Sequence, residues 1–169
     1  FYLRFTSNQK KNLILGTSRA AQGIQPEVLN GILKREFFNY SFTIADSPFG
    51  PSYYKSIKRK LDPITKKAIF ILTIDPWSIS SISKNANDTL SFRELNSCVE
   101  KTKNVNSFPN YEYLFDAFSG NFVKILQRKL RKQGEYMTMF LHEDGWLEVT
   151  VPMDSLELKR RTLRKIKVY

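Results

Sequence analysis

The chain contains one cysteine, Cys98, and one histidine, His142, among 169 residues. A lone thiol cannot close an internal disulfide or build a cysteine-based zinc site, and it leaves the redox compartment open. Long hydrophobic runs are missing too. The longest, A-I-F-I-L-T-I at 68–74, falls far short of the roughly 20 residues a helix needs to cross a bilayer, so no membrane-spanning segment is expected within the chain. Acidic residues are scarce: 16 against 27 basic ones, for a net charge of +11. That surplus admits nucleic acid, an anionic surface or an acidic polymer as a partner and does not choose among them. The basic clusters fall late, as K-L-R-K at 129–132, K-R-R at 159–161 and R-K-I-K at 164–167, and solvated helix faces produce the same counts. The glycine-aromatic signature of an RNA-recognition sheet and a helix-turn-helix spacing are both absent, so specific nucleic-acid recognition is not expected.

What is present is enough apolar and aromatic material, 41% and 14% of residues, for one core. The expectation is a single domain, or the N-terminal part of one, over 1–169. The opening F-Y-L-R-F, which has no initiating methionine, reads as the tail of a removed tag, signal peptide or anchor.

Along the chain, N-L-I-L at 12–15 reads as a short buried strand, followed by a helical turn from Ser18 that Gly23 closes. A helix then opens at Pro26, where a missing N–H is tolerated, and Val28, Leu29, Ile32 and Leu33 fall on one helical face. Residues 37–45, F-F-N-Y-S-F-T-I-A, form a second strand that runs into the breaker-rich D-S-P-F-G-P at 46–51. Tyr53, Tyr54, Ile57 and Leu61 resume helical spacing up to the break at Asp62-Pro63. The third strand, 68–74, is apolar on both faces, the pattern of a strand covered by helices on both sides. Alternating strands and helices predict a parallel sheet with right-handed crossovers, a three-layer α/β/α arrangement of flavodoxin-like type. From 78 to 121 the periodicity breaks down into an irregular insertion. Phe122, Ile125, Leu126 and Leu130 mark a basic helix ending near Gly134. Tyr136–Leu141 and Trp146–Val151 flank H-E-D-G as a β-hairpin, and a basic helix from Ser155 to about Lys167 closes the chain, with Leu156, Leu163 and Ile166 on one side.

In an open parallel sheet the ligand crevice lies beyond the carboxyl ends of the strands, where the strand order reverses. If the first strand is central, with the second on one side and the third on the other, that point lies between strands one and three. Three breaks converge there: Ser18 after strand one, the Asp46–Gly50 loop after strand two and Asp75 after strand three. A serine on a strand-to-helix turn projects its Oγ at the top of the sheet, near backbone N–H groups that can face an oxyanion. The same serine can simply cap the helical turn. Arg19 can bind a substrate phosphate or carboxylate, or pair with Asp46 or Asp75 and hold the loops together.

The block I-L-G-T-S-R-A-A-Q-G-I-Q-P-E at 14–27 resembles the first motif of the SGNH (GDSL-like) hydrolase superfamily. It is closest to the branch carrying G-[ST]-S-R, which includes proteins of lipoteichoic-acid D-alanylation and alginate O-acetylation. I-L-T-I-D-P-W-S at 71–78 and D-G-W at 144–146 are similar to that branch as well. The resemblance is good over about 12–80 and weak afterwards. It implies Ser18 as the nucleophile and Gly50 as an oxyanion-hole contributor, with no metal or cofactor. It further implies an ester hydrolase or O-acyl transferase acting on an acylated polysaccharide or other envelope polymer in an extracytoplasmic location. The chain departs from the family twice. Asp75 stands where the family places an oxyanion-hole asparagine, and an ionised carboxylate repels an oxyanion and has no hydrogen to donate, so Asp75 is expected to orient Arg19 or a backbone group, or to cap the next segment, rather than to take that substrate-binding place. The family's base comes from a D-x-x-H near the C-terminus, and no such motif occurs; His142 reads as a polar turn residue. The chain is therefore expected to be the front of a longer enzyme, or else a non-catalytic or basic binding member of the fold.

Overall fold

A computed structural model of the chain describes residues 2–44, 46, 49–80, 99, 111, 138–151 and 153–166. The insertion expected over 78–121 falls outside them apart from Ser78–Ser80 and two isolated positions, and so do Cys98 and the basic helix expected at 122–134.

The described elements combine a three-stranded parallel sheet with a two-stranded antiparallel one. The first strand, β1 (Asn12–Leu15), is central and buried throughout. It pairs in parallel with β2 (Phe37–Asn39) on one side and β3 (Phe70–Leu72) on the other. Buried Asn12 sets both registers at once. Its Nδ2 donates to the Glu36 carbonyl at 2.8 Å and its Oδ1 accepts from the Ile69 amide at 3.0 Å, so a polar side chain inside the sheet is fully used.

Side chains alternate across β1 with a period of two. Leu13 and Leu15 join Phe38, Tyr40, Tyr53 and Ile57 in one buried cluster. Ile14 points to the opposite face, where it meets Ala20 and Phe37, with Ile24, Leu29, Ile69 and Ile71 packed around them. Between β1 and β2 lie α2 (Ser18–Gly23) and α3 (Pro26–Leu33), and between β2 and β3 lies α4 (Pro51–Lys60). A short helix, α1 (Tyr2–Thr6), precedes β1 and buries Phe5 completely.

Several sequence expectations need correction. The strands expected over 37–45 and 68–74 are shorter, Phe37–Asn39 and Phe70–Leu72. The apolar pattern of the third strand predicts cover on both faces, yet Phe70 and Leu72 are 41% and 52% exposed. Only the face carrying Ile69 and Ile71 meets a cluster; the other borders an apolar groove of about 760 Å³ between β3 and α4. Likewise, of the four apolar residues assigned to one face of α3, only Leu29 packs inward, while Val28, Ile32 and Leu33 are exposed. The helix is tied to β2 by the Asn30 side chain, whose Oδ1 accepts from the Phe37 amide at 2.8 Å, and that tether sets which side of α3 faces the sheet.

The hairpin forms where H-E-D-G predicts it, between β4 (Thr138–Leu141) and β5 (Leu147–Thr150). It docks on the parallel sheet through the Asn39 amide, which donates to the Asp144 carbonyl at 2.8 Å, and through Trp146 Nε1, which donates to the Gln22 carbonyl at 2.9 Å. Two further helices complete the described elements. One, α5 (Pro76–Ile79), follows β3 directly; the last, α6 (Ser155–Ile166), leaves Leu156, Leu163 and Ile166 exposed alongside its basic residues. Among the described residues no helix is long and apolar enough to cross a membrane.

Candidate functional site

The chain passes from β1 to β2 on one side and then to β3 on the other, so the order of connection reverses between β1 and β3. In open parallel sheets such a reversal, where the crossovers leave the carboxyl end in opposite directions, is the usual place of a ligand crevice. The turn after β1 stands at that point. Gly16 is held by close approach: a Cβ there would lie 1.9 Å from Thr73 Oγ1 and 3.1 Å from the Thr73 carbonyl. Only a residue without a side chain lets the end of β1 run this close to the end of β3.

Thr17 occupies the N-cap of α2, and its side chain caps nothing. Its hydroxyl instead donates to Asp75 Oδ2 at 3.2 Å. Ser18 is therefore the first residue inside the helix, half-buried, and among the described residues its hydroxyl has no hydrogen-bond partner. The capping alternative is not what the structure shows, since neither hydroxyl of the turn caps α2.

Asp75 resolves the two readings of Arg19. The guanidinium, largely exposed, pairs with Asp75 Oδ2 at 3.2 Å, whereas Asp46 is taken by the Thr43 hydroxyl at 2.7 Å. The other carboxylate oxygen of Asp75 caps α5, accepting from the Trp77 amide at 2.9 Å and the Ser78 amide at 3.0 Å. Ser78 Oγ returns the bond by accepting from the Asp75 amide at 3.0 Å, which completes a capping box. Partial burial works to raise the Asp75 pKa, but the Ser78 amide, the Thr17 hydroxyl, the Arg19 charge and the Trp77 amide together outweigh it and hold the group below its ordinary value. Asp75 thus stitches the β1 turn to the β3 turn.

A depressed folded-state pKa means that the stabilisation is present above the unfolded value, 3.8, and is lost as pH falls through the lower folded value. Asp75→Ala is expected to cost about 1 kcal/mol at pH 7, the usual worth of a helix cap, and the difference from the parent should shrink toward pH 3. Urea midpoints of the two proteins at pH 7 and pH 3 check this, and an equal gap at both would contradict it.

Gly50 precedes α4 as its N-cap in extended backbone, with Pro51 at the first helical position. The Phe49 amide donates to the Ser78 carbonyl at 3.1 Å, which draws the loop after β2 toward the turn after β3. Gly50 lies at the rim of the apolar groove. His142 is placed apart from these residues: its Nε2 is 2.9 Å from Glu148 Oε2 and its ring stacks on Trp146, 4.6 Å between centroids. The structure gives it no contact with Ser18. Among the described residues no three carboxylate, imidazole or thiol groups gather where they could hold a metal ion.

Two residues that position the turn belong to no motif in the sequence. Fully buried Tyr53 donates its hydroxyl hydrogen to the Tyr40 carbonyl at 2.5 Å and accepts from the Gly16 amide at 3.3 Å, so it joins the ends of β1 and β2 from below. Asn39, also fully buried, donates through Nδ2 to the carbonyls of Ala20 and Ile24, both at 2.9 Å, and closes the carboxyl end of α2. An asparagine inside an otherwise aromatic strand is the available signal, because a buried amide without partners is costly.

Comparison with protein-family models, with curated proteins and with solved structures found no match for this chain.

Proposed function

We propose that the chain carries the nucleophile side of an SGNH-type serine ester hydrolase or O-acyl transferase with a three-layer α/β/α domain, acting on an acylated polysaccharide or other envelope polymer outside the cytoplasm. The observation that carries this reading is the Ser18 hydroxyl, half-buried and without a partner among the described residues, at the point where the parallel sheet reverses its order. A structural serine in such a turn normally spends its hydroxyl on the backbone.

Ser18 Oγ attacks the ester carbonyl while a general base takes its proton. The tetrahedral oxyanion collapses, the bond to the polymer oxygen breaks, that oxygen takes the proton back from the base and departs as a hydroxyl, and the acyl group stays on Ser18. Water then releases the acid, or a sugar hydroxyl carries the acyl group away. Gly50 lends a backbone N–H to the oxyanion. Arg19, mostly exposed while bonded to Asp75, contacts an anionic part of the substrate. Asp75 is a positioning residue, because both its oxygens are already engaged with Thr17, Arg19 and the α5 amides. Deprotonation of Ser18 needs a base, and His142, which is set against Glu148, is not in contact with Ser18.

Reaction of the full-length protein with a fluorophosphonate probe tests the assignment. Labelling is expected in the parent and lost in Ser18→Ala. Labelling that persists in the alanine variant removes Ser18 from the mechanism.

A further inference from the structure

A second polar pocket, of about 410 Å³, lies between α1, the approach to β1 and the hairpin turn, and includes Arg4, Ser7, Asn8, Lys10, His142 and Glu143 in its lining. Its electrostatics are unbalanced. Arg4 is only 6% exposed; one guanidinium nitrogen donates to the Ser41 carbonyl, the plane lies 5.4 Å over Phe42, and Nε is buried with no partner among the described residues. No carboxylate among the described residues pairs with it.

Behind the pocket wall sits a second buried cation. Lys60, fully inaccessible to solvent, donates through Nζ to the Ser7 carbonyl, to Ser7 Oγ at 2.6 Å and to the Phe5 carbonyl at 3.4 Å, with the rings of Phe38 and Tyr40 on its flanks. Lys10 is held next to it by the backbone, since the Lys10 amide donates to the Lys60 carbonyl at 2.9 Å. The nearby acids offset little of this charge. Glu36 reaches Lys10 at 3.6 Å but is itself 80% exposed, and Asp62 spends its carboxylate on Ile64 and Thr65. Glu143 lines the pocket with its own negative charge.

We infer that this pocket is a binding site for a phosphate-type oxyanion, held by Arg4 and Lys10 with the Asn8 side chain as a further donor; the Ser7 hydroxyl is spent on the Arg4 carbonyl. Buried cations without counter-charge are expensive, and the deficit is removed when an anion enters among them. A guanidinium with an unused Nε edge suits a tetrahedral oxyanion, because two parallel N–H groups match two oxygens. The depth of both groups also shows in their ionisation. Burial draws Arg4 down to about 10, and burial reinforced by the Lys10 charge draws Lys60 down to about 7. The site is separate from Ser18 and does not depend on the catalytic reading.

Three probes test it by titration calorimetry on the whole chain at low salt: inorganic phosphate, glycerol phosphate, and vesicles of phosphatidylglycerol. Saturable binding of inorganic phosphate is expected. It should weaken about tenfold in Lys10→Met, the loss of one charged contact, and tighten several-fold in Glu143→Gln, which removes the opposing charge. Arg4→Met should abolish binding; because Arg4 is buried and that variant can fail to fold, Lys10→Met and Glu143→Gln, changed at the pocket rim, are the deciding variants. Glycerol phosphate binding without vesicle binding identifies a free phosphoryl group as the ligand, and Lys10-dependent binding to vesicles identifies a lipid headgroup. Absence of saturable binding with all three probes, or equal affinity in the parent, Lys10→Met and Glu143→Gln, overturns the inference.

Discussion

Tyr53→Ala is expected to lower the free energy of unfolding by about 3–5 kcal/mol, the range for deleting a large aromatic side chain from a core. A loss of that size takes a large share of the roughly 5–15 kcal/mol that stabilises an ordinary domain. Tyr53 is fully buried and stands at the centre of the aromatic cluster. It stacks with Tyr40 at 6.1 Å, meets Phe42 edge-on at 6.4 Å and touches Phe49 at 6.1 Å. Alanine leaves these rings facing a void that the strands cannot close. The hydroxyl is a separate matter. Burial drives the phenol far above its ordinary pKa, so it stays protonated and remains a donor to the Tyr40 carbonyl. Tyr53→Phe keeps the ring and removes that bond, at a cost of about 1–3 kcal/mol. Urea unfolding of the parent and the two variants separates the contributions. Because the hydroxyl also receives the Gly16 amide, Tyr53→Phe should slow probe labelling of Ser18 while the protein stays folded. Equal midpoints for parent and Tyr53→Ala would mean that the cluster is not the core described.

Gly145→Val should detach the hairpin from the parallel sheet. Gly145 has φ +85°, a conformation that costs a branched residue roughly 1–3 kcal/mol, and a Cβ at this position would lie 2.2 Å from the Asn39 carbonyl oxygen. The obstruction is backbone on backbone, so no rotamer relieves it. The Asn39–Asp144 and Trp146–Gln22 hydrogen bonds are lost together when the turn backs away. Tryptophan emission reads the change directly once the other tryptophan is replaced in a Trp77→Phe background: the Trp146 band should move to longer wavelength, and the Asn39 amide should exchange faster with solvent. Unchanged emission and exchange would show that the turn does not rest on Asn39.

The three parallel strands and the hairpin are legible in the sequence, because each rests on a short-range signal, whereas the central place of β1 is a matter of strand order that the structure supplies. A four-residue apolar run ending in G-T-S, proline at the helix starts and turn residues between alternating segments act within a few positions of one another. The length of the second strand is not legible in this way: aromatic and β-branched residues continue the strand pattern over 37–45, whereas β2 ends at Asn39, where the chain stops pairing along β1. The convergence of Ser18, Gly50 and Asp75 at one edge is predictable, since it follows from connection order alone. Which partner Arg19 takes is not, because Asp46 and Asp75 offer the same charge at different places. The roles of Tyr53, Asn39 and Gly145 are illegible for a related reason. Trp146 reaches Gln22 across 124 positions of chain, and Tyr53 reaches Gly16 across 37, distances over which composition and periodicity carry no information.

Local chemistry in this chain determined the kinds of element, their order and the edge at which the Ser18 hydroxyl stands. Tertiary packing decided which faces are covered, which acid Arg19 meets and how deeply Arg4 and Lys60 are buried. Propensity and spacing act between neighbours in sequence, whereas burial and charge balance are set by groups that meet only when the sheet, the helices and the hairpin close around one another.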